Sequence, residues 1–158
     1  MFEEIKFWLQ SQKIEFTIIQ HEPTLTSAQS AKARGEDLSV GGKALIMKVG
    51  NDFKIFVLSA SRKIDSNAIK KRFNVKKLRF VNSDELKELT GLTSGAVPPF
   101  GRPFFNLELY VDHSIKNNLK IAFNAASLTT SIIMKTSDYL KIAGAEYFDF
   151  SLEQPQVE

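Results

Sequence analysis

The chain has 158 residues, 43% hydrophobic and 25% charged, with no cysteine and a net charge of +3 from 21 basic and 18 acidic residues. A globular chain of that size buries about 68–70% of the surface its unfolded form exposes, so one domain is expected and no disulfide is needed to hold it. The lack of cysteine excludes a thiol nucleophile, a thiolate metal site and a disulfide framework, and the mild basic excess favours a polyanionic partner without identifying one.

The opening MFEEIKFWLQSQKIEF places acids directly after Met1 and charges within its apolar pattern, unlike a signal or transit peptide. No apolar run approaches the roughly 20 residues of a membrane span, so cytoplasm is the expected compartment and no membrane is expected as a partner. Phe2, Ile5 and Leu9, with Phe7 and Trp8 beside them, predict an amphipathic first helix. FTIIQ reads as a strand, followed by a loop at Pro23 and a short helix from Ala28 to Ala33 that Gly35 would stop. KALIMKVG and DFKIFVLSA are β-rich runs separated by Gly50, Asn51 and Asp52, the composition of a hairpin. Asp65 or Ser66 would cap a helix running to Phe73. Ser83 would cap another, with Asp84 and Glu85 in its first turn and Gly91 at its end. LELYVD, LKIAFNA and TSIIMK follow as strands, then a helix from Ser137 to Ile142 and a last strand EYFDF. Interspersed helices and hairpins, with few regular βαβ repeats, predict a mixed α+β fold: a mixed sheet, curled or barrel-like, with helices outside. The domain is expected over residues 1–152, and the polar tail EQPQVE from Glu153 is expected to fray.

Several residues could carry chemistry. Lys43 opens a central strand on the parity of Leu45, Met47 and Val49. It either snorkels its ammonium to water or points into a pocket to hold an anion or a carbonyl. His21 and His113 form no metal spacing, and surface or capping roles suit them, although His21 ends a strand and could line a site there. No metal and no cofactor is implied, and no GxSxG elbow supports a serine triad. IKKRFNVKKLRF interleaves Lys70, Lys71, Arg72, Lys76, Lys77 and Arg79 with Phe73 and Phe80. That pattern fits a solvated face over two core aromatics, or a patch that follows nucleic-acid phosphates. LTGLTSGAVPPFGRPFF, from Leu89 to Phe105, gathers three glycines and three prolines. It fits a stiff turn, or a rigid wall of backbone donors able to approach a carbonyl.

The order of GGKALIM with Lys43, LTGLTSGAVPPFG, VDHS, IAFNAAS and TSDYLKIAG resembles the YbaK/prolyl-tRNA editing domain family, the aminoacyl-tRNA synthetase-associated domains, from about His21 to Ala145. The resemblance implies hydrolysis of the ester joining a wrong amino acid to a tRNA, commonly prolyl-tRNA. With no synthetase attached, it implies an editor that works in trans. Lys43 matches the family's site lysine, Gly91, Gly95 and Pro99 its backbone loop, and Asn124 its polar strand position. Lys43, Gly95 and Asn124 are therefore the expected catalytic set. His21, Gly91, Pro98, Pro99, Phe100, Gly101 and Ala125 are expected at the substrate, and Lys70, Lys71, Arg72, Lys76 and Lys77 on the tRNA backbone. Water is the implied nucleophile, assisted by the substrate's ribose hydroxyl. A mischarged tRNA is the implied partner, with an aminoacyl-tRNA synthetase or elongation factor as candidate protein partners. Many relatives carry glycine where this chain has Ala125, Ala126 and Ser127, which bears on the amino acid admitted. A non-catalytic tRNA- or synthetase-binding module of the same fold is the alternative, and a binder of small carboxylates or phosphates is a third.

Overall fold

Neighbouring residues of the two central strands enter opposite cores. In β2 (Gly42–Val49) and β3 (Asp52–Ser59), Ile46, Ile55 and Val57 belong to one buried cluster and Met47, Val49, Phe56 and Leu58 to another. A sheet apolar on both faces has to be covered on both. The computed structural model, which describes residues 1–154, shows how this is done. On one face α1 (Phe2–Ser11) contributes Ile5 and Leu9, one turn apart. Facing them is a three-stranded antiparallel sheet in the order β1 (Phe16–Gln20), β8 (Thr130–Lys135), β7 (Lys120–Asn124). On the other face α3 (Ser66–Phe73) supplies Ile69.

The main sheet runs β5 (Leu78–Phe80), β2, β3, β6 (Glu108–Val111), β9 (Glu146–Tyr147). Its β3–β6 and β6–β9 pairings are parallel and the others antiparallel. A short ladder joins β4 (Arg62–Ile64) to β10 (Ser151–Glu153). The expected mixed α+β class is therefore present, but the sheets do not close into a barrel. Among the described residues, one parallel bridge, between Gly41 and Ala122, links the two larger ones.

Helix ends follow local chemistry. Gly35 stops α2 (Ser27–Arg34) in the left-handed conformation at φ 70°, and Asp65 caps α3 by accepting from the Ala68 N–H. The cap of α4 (Ser83–Thr90) is Asn82 rather than Ser83. Asn82 is extended, its side chain accepts from the Glu85 N–H, and the Glu85 carboxylate accepts from the Asn82 N–H, a reciprocal capping box. Glu85 also takes a forked pair of bonds from Arg79, which, with the Asn82 N–H, holds its carboxyl down at about 2.

Two further expectations change. LELYVD is a strand only over Glu108–Val111, and its Asp112 instead caps a one-turn helix, α5 (His113–Lys116). EYFDF is a strand only over Glu146–Tyr147, because the Phe150 N–H donates to the Asp112 carboxylate instead of to a ladder. Asp112 is buried. Burial pushes its carboxyl up, but bonds from Ser114, the Phe150 N–H and the Ser151 hydroxyl outweigh that and hold it below its ordinary value. Glu153, the expected start of the tail, pairs with Arg62 in β10, and residues 155–158 lie outside the described residues. The last helix, α6 (Thr136–Ile142), packs Tyr139 into the first core. Among the described residues no helix is long and apolar enough to cross a membrane.

Candidate functional site

A cleft of about 340 Å³ opens between the start of β2, one face of α2 and the loop after α4. Its floor is the continuous run Gly41 to Ile46, so backbone as well as side chains border it. The glycines permit this placement. A Cβ on Gly42 would lie 2.6 Å from the Ile121 side chain, so a larger residue there would have to displace the buried Ile121 for β2 to begin this close to β7. The Gly41–Ala122 bridge then sets β7 in register, and Asn124, two residues on, reaches the cleft. One wall is the face of α2, where Ser27, Ser30 and Arg34 recur at helical spacing. Thr24 and Ser30, both buried, share a 2.7 Å hydroxyl–hydroxyl bond that fixes this corner. The opposite wall is Ser94, Gly95 and Val97. On the rim, Leu25 is 85% and Phe80 54% exposed, unusual values for large apolar side chains beside a cleft.

Lys43, Gly95 and Asn124 thus border one cleft. The Asn124 amide donates to the Gly95 carbonyl at 2.8 Å, stapling the loop to β7. The same amide's oxygen accepts from Arg34 Nη2 at 3.0 Å, and Arg34 Nε donates to Ser131 Oγ at 2.9 Å. Neither Arg34 nor Lys43 belongs to an ion pair among the described residues, and no lining residue is acidic. Burial lowers Arg34 to about 10 and Lys43 below its ordinary value. Two partly desolvated cations without a carboxylate make the cleft a place for an anion, a carbonyl oxygen or an oxyanion. The lining offers hydroxyls but no histidine, cysteine or carboxylate, and among the described residues no cluster of His, Asp or Glu could hold a metal.

The other expected residues lie elsewhere. His21 does not line the cleft, but its Nε2 lies 2.8 Å from Ser131 Oγ, one step from Asn124. Gly91 is the left-handed cap of α4. The Pro98 carbonyl accepts from the Phe100 N–H, and the Pro99 carbonyl accepts from the buried Tyr139 hydroxyl at 2.6 Å. Phe100 is a core residue, packed edge-on to Trp8 and Phe123 with ring centroids 5.2 and 5.6 Å away. Gly101 sits against the Leu107 backbone, and Ala125 is fully buried, its N–H on the Thr130 carbonyl. Within Gly91 to Gly101, then, Ser94, Gly95 and Val97 face the cleft, while the proline half anchors the loop to the core. Ala126 takes the left-handed conformation, φ 62°, that would suit glycine, and neither Ala125 nor Ala126 borders the cleft.

In the basic segment, Lys71, Lys76 and Lys77 are exposed and Lys70 half-buried. Arg72 is engaged by Glu146 at 3.5 Å and lies over the Phe148 ring. Of its two aromatics, Phe73 packs with Phe56 and Tyr110, whereas Phe80 is exposed at the cleft rim. Arg34 was not singled out from sequence. Its signal was a lone cation closing a helix face otherwise made of Ser27, Ser30 and Ala31.

Comparison with known proteins places the chain in a family. The model of the aminoacyl-tRNA editing domain family matches residues 21–142. The chain is 32% identical over 148 residues, 90% of its length and 87% of the relative's, to the multifunctional Ser/Thr-tRNA deacylase ProXp-y of Escherichia coli (strain K12). It is 26% identical over 138 residues, 84% of each chain, to the prolyl-tRNA editing protein ProX of Acetoanaerobium sticklandii. A solved structure described as a candidate trans-editing enzyme for prolyl tRNA synthetase superposes with a TM-score of 0.82 over 98% of this chain and 97% of that one. At 19% identity that likeness is one of fold. The matched segment contains every element that builds the cleft, and the chain belongs to the aminoacyl-tRNA editing domain family.

Proposed function

We propose that the protein is a free-standing aminoacyl-tRNA deacylase that hydrolyses the ester of a mischarged tRNA, with tRNA-Pro carrying a small amino acid as its substrate. The observation that carries this reading is the presence of two cations and the Asn124 amide together in a cleft that has no acidic or nucleophilic lining group beyond hydroxyls. Such a site suits a reaction in which negative charge develops on a carbonyl oxygen and water is the nucleophile. The water oxygen bonds to the ester carbon, the carbon–oxygen bond to the ribose breaks, and the proton passes through the adjacent ribose hydroxyl to the leaving oxygen. Lys43 and the Asn124 N–H face the developing oxyanion, while the Gly95 loop holds the acyl group. The hydroxyls of Thr24, Thr26, Ser27, Ser30 and Ser94 suit a serine or threonine side chain, in keeping with the name of the Escherichia coli relative.

Lys71 on α3 and Lys76 and Lys77, just before β5, whose Phe80 borders the cleft, supply the charge for the tRNA backbone. A protein of this kind acts where translation does, in the cytoplasm, on tRNA released by a synthetase or carried by an elongation factor. The reading is tested by incubating the protein with tRNA-Pro charged separately with alanine, cysteine, serine, threonine or proline. Release of serine or threonine ahead of proline is expected. Release of none, with the protein folded and tRNA bound, would make it a binding module instead.

A further inference from the structure

Hydrogen-bond arithmetic around Asn124 fixes more than its position. Arginine can only donate and a backbone carbonyl can only accept, so the Asn124 oxygen must face Arg34 and its nitrogen must face the Gly95 carbonyl. One Nδ2–H is used on Gly95. The other has no partner among the described residues and is left for whatever occupies the cleft. Ser131, fully buried, accepts from Arg34 Nε and lies between His21 Nε2 at 2.8 Å and Asn124 Oδ1 at 3.2 Å. The serine has one proton to give. His21 Nδ1 lies 2.8 Å from the Glu22 carbonyl and therefore carries a hydrogen. With the imidazole neutral, Nε2 is an acceptor and takes the Ser131 proton. With the imidazole charged, Nε2 donates to Ser131 and the serine proton turns to Asn124.

We infer that Arg34, Ser131 and His21 are positioning residues for Asn124, and that the charge on His21 decides whether Ser131 donates to the Asn124 oxygen. This rests on the deacylase reading only for its consequence, since a doubly bonded amide oxygen makes the free Nδ2–H a stronger donor to the ester. The charged group facing His21 from α2 is Arg34, and on its own segment Glu22 is adjacent. The bonded neighbours on β7 and β8, Asn124 and Ser131, are neutral. An imidazole can carry one proton or two, so the switch lies within reach of experiment.

The test is the side-chain spectrum of the ligand-free protein between pH 5 and 8, following the Asn124 amide and the His21 imidazole by NMR. Both are expected to move with one midpoint. In Ser131→Ala the imidazole should still titrate while the Asn124 amide stays flat. His21→Gln should flatten it too, which keeps the test available if the buried serine variant does not fold. An Asn124 amide indifferent to His21 in the wild type, or one that still responds in Ser131→Ala, overturns the inference. In turnover, Ser131→Ala and Arg34→Lys should lower kcat about tenfold, the scale of an outer orienting partner, with KM changed less than about twofold. Because the spectra need no turnover, coupling that persists in a protein releasing no amino acid would count against the deacylase reading alone.

Discussion

Replacing Lys43 by methionine is expected to lower the single-turnover rate of deacylation about 100-fold, the loss typical of removing one preorganised donor to an oxyanion. Methionine keeps the unbranched stem and its packing and removes only the charge, so the change reads the ammonium rather than a cavity. The same substitution should leave the melting temperature unchanged or raise it. Burial lowers the pKa of Lys43, and no carboxylate pairs with it among the described residues, so its charged form is held against the preference of its surroundings. A group kept charged at the expense of stability is the signature of function over fold. Lysine's folded value lies below its unfolded one, so any gain in stability from the substitution is greatest at neutral pH and shrinks as pH rises through that folded value. A Lys43→Met protein that loses stability but deacylates at the wild-type rate would assign the lysine to the fold instead.

Gly101→Ala is expected to destabilise the protein by about 2–3 kcal/mol, read by denaturant unfolding, as overpacking against rigid backbone does. A Cβ there would sit 2.5 Å from the Leu107 carbonyl oxygen and 3.3 Å from Leu109 Cβ. The obstacle is backbone, and the Gly101 carbonyl is itself fixed by bonds from the Phe104 and Phe105 N–H groups, so neither side can yield cheaply. Gly91→Ala is the control. Its Cβ meets nothing within 4 Å, and the substitution costs only the left-handed φ of 74°, about 1 kcal/mol. Equal losses at the two glycines would mean that conformation, not contact, governs the loop.

Residues with local causes were legible in the sequence. The β2–β3 hairpin shows in its apolar run and its Gly50 turn, and the ends of α2, α3 and α4 in Gly35, Asp65 and Gly91. Three-residue strands carry no period, so β4, β5 and β10 were not legible; β5 forms on the edge of the longer β2, and β4 and β10 form only by pairing with each other across 89 positions. EYFDF has the composition of a strand throughout, yet a carboxylate 38 positions away takes its Phe150 N–H. The site divides the same way. Lys43, Gly95 and Asn124 came from an order of motifs, whereas Arg34 acquires its meaning from partners 90 and 97 positions distant. Composition leaves the Pro-Phe-Gly half of the loop open between stiff turn and cleft wall, and the resemblance puts it at the substrate; it anchors the loop to the core, because Phe100 is large and apolar and packs against the Trp8, Phe123 and Tyr139 rings.

The most direct measurement is the position of a non-hydrolysable substrate end: a seryl group joined by an amide to 3′-amino-adenosine, mapped by backbone chemical-shift changes in the folded protein. Shifts are expected to centre on Lys43, Gly95 and Asn124 and to include Arg34, with the second cleft beside Trp8, Arg102 and Glu108 unchanged. Saturable binding that perturbs the Trp8 cleft and leaves Lys43 to Ile46 in place would contradict the assignment of the ester site.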